Sequence, residues 1–299
     1  MTDKTMGATF MSRTVTQGFN ELSSRLEITD LQASTVSARQ QNVRDAVKKG
    51  FVVWDDFLTG SYMRNTMISP LSDADIDIFF VLSSEYYKVD GQQYILDKVR
   101  DVLKKTYTTP QVSRNGQAVT IFFKDFEVDV VPAFKLQGGG YFIADSGLKR
   151  WISTDPKKHI DLWSQANKAH DYTLIPFLKM LKAWNKENGR SLRSFHLECL
   201  SLKVLEGYAI TYYPSALSYF FGNAQAWIKR DLPDPAGVGY NPDVGKYLDT
   251  DDKINDVVNR LETAYSRAKK AEESAAREKI EDAYYYWRLI FDDYFPAYG

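Results

Sequence analysis

Residues 75–82 read Asp-Ile-Asp-Ile-Phe-Phe-Val-Leu, and residues 126–132 read Phe-Glu-Val-Asp-Val-Val-Pro. Two apolar strands headed by carboxylates constrain the fold more than any other feature of the chain. Successive side chains of a strand alternate faces. Asp75 and Asp77 therefore share one face, while Ile76, Ile78 and Phe80 point into a core. Glu127 and Asp129 share a face by the same rule. Carboxylates gathered at strand ends can hold hard divalent cations, which take oxygen ligands from Asp and from phosphate. Upstream, Gly60-Ser61 reads as a turn. A glycine there lets backbone approach a triphosphate, and the serine hydroxyl can hydrogen-bond it.

Asp-x-Asp alone is a weak signal, and Gly-Ser alone is a loop. The ordered set, with an apolar strand after each acidic cluster, is specific. It resembles the polymerase-β-type nucleotidyltransferases: Gly-Ser, a spacer, Asp-x-Asp, then a third Asp on a neighbouring strand. The resemblance implies catalysis with two Mg²⁺ ions, for which Mn²⁺ can substitute, held by Asp75, Asp77 and Asp129. One ion lowers the pKa of an attacking ribose hydroxyl and the other neutralises the leaving pyrophosphate. Residues 72–77 read Ser-Asp-Ala-Asp-Ile-Asp, so the pair could also be Asp73/Asp75. Asp75/Asp77 is preferred because family members commonly run straight from the second Asp into the apolar strand. Asp73 then reads as a turn residue or as a helper that keeps the site electronegative.

Downstream come Val131-Pro132-Ala133-Phe134, Gly138-Gly139-Gly140-Tyr141-Phe142-Ile143 and Trp151-Ile152-Ser153-Thr154-Asp155-Pro156. Leu178-Lys179-Met180-Leu181-Lys182-Ala183-Trp184-Asn185 and Ser194-Phe195-His196-Leu197-Glu198 follow. This order resembles the CD-NTases, bacterial relatives of animal cyclic GMP–AMP synthase and oligoadenylate synthase, over residues 51–205. The fold class expected is α+β: a polymerase-β-like nucleotidyltransferase core with a mixed sheet, plus a helical C-terminal lobe. The resemblance assigns Gly60, Ser61, Lys182 and Ser194 to nucleotide phosphates and Phe195 to base stacking. A third carboxylate can accept the hydroxyl proton, and that role falls to Asp129.

The residues can also be read without the resemblance. Leu174, Phe177, Leu178, Leu181 and Trp184 recur at helical spacing. Asp171 is a candidate N-cap and Gly189 a stop. Lys179, Lys182 and Lys186 form one stripe, which by itself reads as a solvated face. Phe195 can stack on a base or pack in the core beside Leu197 and Leu200. His196, between an aromatic and an apolar helix, reads as a hydrogen-bonded structural histidine. Cys199 lies in the apolar run 197–202 and reads as a buried, inert thiol.

One cysteine and three scattered histidines offer no zinc site and no intrachain disulfide. No apolar run reaches membrane-spanning length and no signal pattern begins the chain, so a soluble cytoplasmic protein is expected. A formal charge of −1 gives no global footprint for constitutive nucleic-acid binding. Residues 35–49 read as a helix that starts a spine joining two lobes. Asn115-Gly116 signals a hairpin. Residues 51–135 read as a mixed sheet and 155–210 as helices. Residues 221–223 and 231–252 read as loops. Residues 253–294 are helical in pattern, with 271–277 either a turn or mid-helix. We expect residues 1–150 to form the nucleotidyltransferase core with its spine helix, and 151–299 the helical lobe, as one two-lobed unit with a nucleotide cleft between.

A CD-NTase of an anti-phage CBASS system condenses ATP, alone or with a second NTP, into a cyclic di- or trinucleotide second messenger. Its product activates an effector that kills or arrests the infected cell. Two alternatives remain open: a nucleotidyltransferase that makes linear oligonucleotides or modifies RNA ends or a small molecule, and a non-catalytic nucleotide sensor. After Pro296 the chain reads as a short exposed extension. Its last residue, Gly299, is compatible with conjugation by ubiquitin-like machinery, which activates some bacterial relatives.

Overall fold

A computed structural model describes residues 13–73, 75–237 and 243–299. Its strands are β1 (Val53–Leu58), β2 (Asp75–Leu82), β3 (Gln111–Asn115), β4 (Ala118–Phe122), β5 (Glu127–Lys135), β6 (Tyr141–Asp145) and β7 (Arg150–Thr154). They form one mixed sheet in the order β1-β2-β5-β4-β3, with β6 against β5 and β7 beyond it. β2 and β5 run parallel, whereas the other neighbours are antiparallel. The sheet thus extends past the expected residue 135 to Thr154.

The helices are α1 (Val15–Leu26), α2 (Asp30–Lys48), α3 (Gly60–Met63), α4 (Gln92–Thr106) and α5 (Pro156–Ala169), then α6 (Leu174–Glu187), α7 (Ser194–Val204), α8 (Tyr213–Ile228), α9 (Asp251–Ala276) and α10 (Ile280–Phe291). No helix among the described residues is long and apolar enough to cross a membrane.

Ile76, Ile78, Phe80 and Leu82 of β2 enter the sheet's main core with Val36, Val43 and Val47 of α2 and Ile95, Leu96 and Val99 of α4. The opposite face carries Phe79 and Val81 with Val131, Ala133 and Ile143. This strict alternation puts Asp75 and Asp77 on the face away from α2 and α4. Pro132 lies within the central strand β5. It falls where β5 changes partners, between the β4 ladder ending at Val130 and the β6 ladder starting at Ala133. A missing N–H does least harm there.

A second core joins α5 through α10, with Trp163, Phe177, Trp184, Phe220 and Trp287 fully buried. Val15, Phe19, Leu22 and Leu26 of α1 belong to this helical core, although they precede the sheet in sequence. The spine is therefore two helices. α1 packs with the helical lobe and α2 with the sheet. Each begins with a capping box, Thr14 with Gln17 and Thr29 with Gln32.

Several local expectations are corrected. Residues 221–223 lie inside α8, not in a loop, and Phe221 is fully buried. Gly222 is there because α9 comes close: a Cβ would sit 3.0 Å from Tyr265 Cε2. The β3–β4 hairpin turns on Gly116 and Gln117, since Asn115 pairs with Ala118 as a strand residue. Thr173, not Asp171, is the α6 N-cap; Asp171 has a left-handed φ of 50° in the preceding turn. Gly189 follows α6 at φ 93°, as a helix stop should. Residues 277–279 separate α9 from α10. The loop expected at 231–252 is irregular where described, while Gly239 and Pro242 lie outside the described residues.

The tail is not an exposed extension. Phe295 and Pro296 are buried. Phe295 packs on Phe19 and Tyr284, each at 5.2 Å between ring centroids. Arg13 donates to the Ala297 carbonyl at 2.9 Å, and Tyr298 meets Tyr284 edge-on. Aromatic burial outweighs the fraying expected of a terminus. Gly299 itself is exposed.

Candidate active site

The parallel β2–β5 pairing sets Asp75 beside Glu127 and Asp77 beside Asp129. Carboxylate oxygens of Asp75, Asp77 and Asp129 all lie within 4.8 Å of one another. Burial, with the neighbouring Asp75 and Asp129 charges, raises the Asp77 carboxyl well above its ordinary range. Burial likewise lifts Asp129 to about 6, although the Thr120 hydroxyl donates to it from β4 and opposes the rise. Three acids held this close repel one another, and a cation between them removes the conflict. The donor set is all oxygen, so it fits a hard divalent ion. Asp73 ends a short 3₁₀ turn at Leu71–Asp73, which agrees with a turn residue; its side chain lies outside the described residues.

Gly60 opens α3 with φ 66°, and a Cβ there would lie 1.7 Å from Asp77 Oδ2. The Thr59 N–H donates to the Asp77 carbonyl at 3.0 Å, tying the turn to β2. Only glycine fits, because both the conformation and the space forbid a side chain. The turn then places Ser61 in a cavity of about 250 Å³ that Asp75, Lys182 and Ser194 also line. Four of the residues chosen from sequence thus face one space, and Asp77 and Asp129 adjoin it through Asp75.

The α6 lysine stripe is not a solvated face. Lys179 and Lys182 are buried. Lys179 pairs with Glu27 at 2.6 Å, and Lys182 with Glu198 at the same distance. Glu27 at the end of α1, Glu198 of α7 and Thr66 beyond α3 cover the helix face that periodicity alone assigns to water. Phe195 is half-buried, stacked on Trp163 at 5.8 Å and edge-on to His159 at 5.0 Å. It is not among the residues lining the cavity.

Glu198, Arg64, Thr66 and Thr120 escaped the sequence reading. Glu198 is fully buried. Arg64 Nε donates to its Oε2 at 2.8 Å, and the Thr66 hydroxyl to its Oε1 at 2.9 Å. Burial alone would raise this carboxyl, but Lys182 and Arg64 outweigh it and bring Glu198 down to about 2. A charged residue in the apolar run 195–202 was the available signal. Arg64 gave none, since its partner lies 134 residues away. His196 is a structural residue by contact, its Nδ1 3.0 Å from the Tyr247 hydroxyl. Burial lowers its pKa to about 4, so it is neutral at pH 7. Cys199 is buried, which raises its thiol pKa.

Residues 13–167, more than half of the chain, match the Second Messenger Oligonucleotide or Dinucleotide Synthetase (SMODS) domain family. The chain is a SMODS-family protein. Among curated relatives, the cyclic AMP-AMP-AMP synthase of Acinetobacter sp. is 32% identical over 211 residues, which cover 67% of this chain and 61% of that one. Among solved structures, Escherichia coli MS115-1 CdnC with ATP superposes at a TM-score of 0.74 and 17% identity, covering 94% of this chain and 98% of CdnC. The Vibrio cholerae di-nucleotide cyclase DncV, determined with ATP, GTP and 5MTHFGLU2, gives 0.77 at 13% identity, covering 96% and 98%. At these identities the structures establish the shared fold. The SMODS chain has the α+β nucleotidyltransferase architecture that its acidic strands imply.

Proposed function

We propose that this protein is a cytoplasmic nucleotidyltransferase that condenses ATP, alone or with a second NTP, into a cyclic di- or trinucleotide second messenger in anti-phage defence. The convergence of Asp75, Asp77 and Asp129 beside the cavity lined by Ser61 and Lys182 carries this reading. Membership of the SMODS family supports it, as does 32% identity to a cyclic AMP-AMP-AMP synthase.

Asp75, Asp77 and Asp129 would hold two Mg²⁺ ions, with Mn²⁺ as a substitute. Such ions, when bound, make a ribose hydroxyl more acidic and offset charge on pyrophosphate. Gly60 keeps the backbone close, so the Ser61 hydroxyl and amide can grip a triphosphate. Lys182 supplies a buried cation to the same phosphates, and Ser194 a hydroxyl at the start of α7. Asp129 Oδ takes the proton from the attacking hydroxyl. Phe195, backed by Trp163, offers its ring to a base. Catalysis is then mainly positioning and charge neutralisation.

Incubation of the purified protein with Mg²⁺ or Mn²⁺ and all four NTPs, followed by mass spectrometry, tests the reading. An adenine-containing product resistant to phosphatase is expected. A product that phosphatase destroys has open ends and would favour the linear alternative. A separate proposal concerns Gly299, which stands exposed beyond the anchored tail as a candidate site for ubiquitin-like conjugation. Gly299→Glu should then spare synthesis in vitro, remove defence in cells carrying the whole operon and abolish higher-mass adducts. Full protection by that variant would refute it.

A further inference from the structure

A buried carboxylate ties the two lobes together at the cleft. Glu198 sits on α7 of the helical lobe and is fully buried. Arg64, one residue beyond α3, reaches it from the sheet lobe with two donors, Nε at 2.8 Å and Nη2 at 3.3 Å. Lys182 Nζ reaches Glu198 Oε1 from α6 at 2.6 Å. The Thr66 hydroxyl donates to that oxygen at 2.9 Å and accepts from Lys182 at 3.0 Å. The Arg64 guanidinium also lies 5.4 Å over the Phe195 and Trp163 rings.

We propose that Glu198 is a positioning residue for nucleotide binding: it fixes Lys182 and the Gly60-Ser61 turn from one anchor, so that phosphate ligands of both lobes face one cleft. The inference rests on the function proposed above. An ammonium has three donors, and Glu198 and Thr66 engage two of them. Among the described residues no third acceptor meets it, and the cavity that Lys182 lines offers that donor to a ligand. Two cations against one anion leave the cluster with a net positive charge beside the acid trio, which suits a polyphosphate. A single acceptor also fixes the distance between the turn and the lysine, and thus the span across which a triphosphate is gripped. A plain staple between lobes would need no contact with Lys182.

The test is a double-mutant cycle on the affinity of a non-hydrolysable ATP analogue, measured calorimetrically with Mg²⁺ on the full chain. Glu198→Gln and Lys182→Ala should each weaken binding about tenfold or more. The double variant should lose less than the sum of the two single losses, because part of the Glu198 effect runs through that lysine and part through Arg64 and the turn. Removing one member of a buried ion cluster can unfold a protein. Thr66→Val keeps the ion pair and the shape, and serves where Glu198→Gln does not fold. It should weaken binding several-fold, with a smaller further loss once Lys182 is Ala. Additive losses in both cycles, in a wild-type protein that makes product, would overturn this inference alone. A wild-type protein that neither binds the analogue nor makes product would overturn the proposed function, and this inference with it.

Discussion

Asp77 and Asp129 are register partners on adjacent parallel strands, with Gly60 closed over Asp77 so tightly that no side chain fits between them. Like charges are thus fixed side by side by backbone pairing, and neither can move away without breaking the sheet.

The first consequence is a pH dependence. Folding raises the Asp77 carboxyl well above its ordinary value and Asp129 to about 6. The folded state therefore holds protons that the unfolded state has released. Without metal, this site favours folding below about pH 4 and loses that contribution as pH rises through about 6, on the order of 1–3 kcal/mol. Thermal denaturation in EDTA should show that decline in the wild type and a shallower one in Asp77→Asn. Identical profiles would mean that folding does not raise the Asp77 carboxyl.

Metal should reverse the effect. At pH 7, Mn²⁺ or Mg²⁺ should raise the wild-type Tm in a concentration-dependent way, since an ion that binds only the folded state stabilises it. Asp75→Asn with Asp77→Asn should abolish the shift. An equal shift in the double variant would place the ion elsewhere.

Gly60→Ala should disable the site from the turn. The new Cβ would lie 1.7 Å from Asp77 Oδ2 at a φ of 66°. Relief needs displacement of the turn or of the carboxylate, at about 1–3 kcal/mol of strain. Product formation should fall at least tenfold with the far-ultraviolet circular dichroism unchanged. Normal synthesis would show that the Asp77 position is not critical.

How much of this was legible in the sequence depends on the range of the interaction. The acid trio was legible because strand alternation is local, and an apolar strand after each acid fixes its face. Thr120 was hidden because its pairing with Asp129 depends on the β4–β5 connection at residues 123–126, which carries no turn signal of its own. The lysine stripe reads as solvated by periodicity alone because periodicity cannot reveal that α6 is covered on both sides, and only the family resemblance singles out Lys182. Gly222-Asn223 looked like a loop because composition does not show that Tyr265 needs the space. Pro296 stopped a helix in pattern, but helix α10 had ended at Phe291, and the aromatic contacts of Phe295 decide where the tail goes.

Those contacts carry their own prediction. Phe295 is fully buried against Phe19, Tyr284 and Phe291. Phe295→Ala should cost about 3–5 kcal/mol of stability in urea denaturation. A loss below about 1 kcal/mol, the range of surface substitutions, would mean that the tail is detached in solution.

Base recognition is tested by Phe195. Its ring already stacks on Trp163, so Phe195→Ala should weaken ATP-analogue binding by about 1–3 kcal/mol, whereas Phe195→Tyr should be tolerated. Equal binding by the alanine variant would confine the ring to a packing role.

The most direct measurement is mass spectrometry of the products formed from ATP and the other NTPs by the wild type, Asp75→Asn with Asp77→Asn, and Asp73→Asn. A cyclic, adenine-containing product should come from the wild type, little changed with Asp73→Asn and absent with the double variant. Wild-type rates from the double variant, at unchanged fold, would contradict the assignment of the active site.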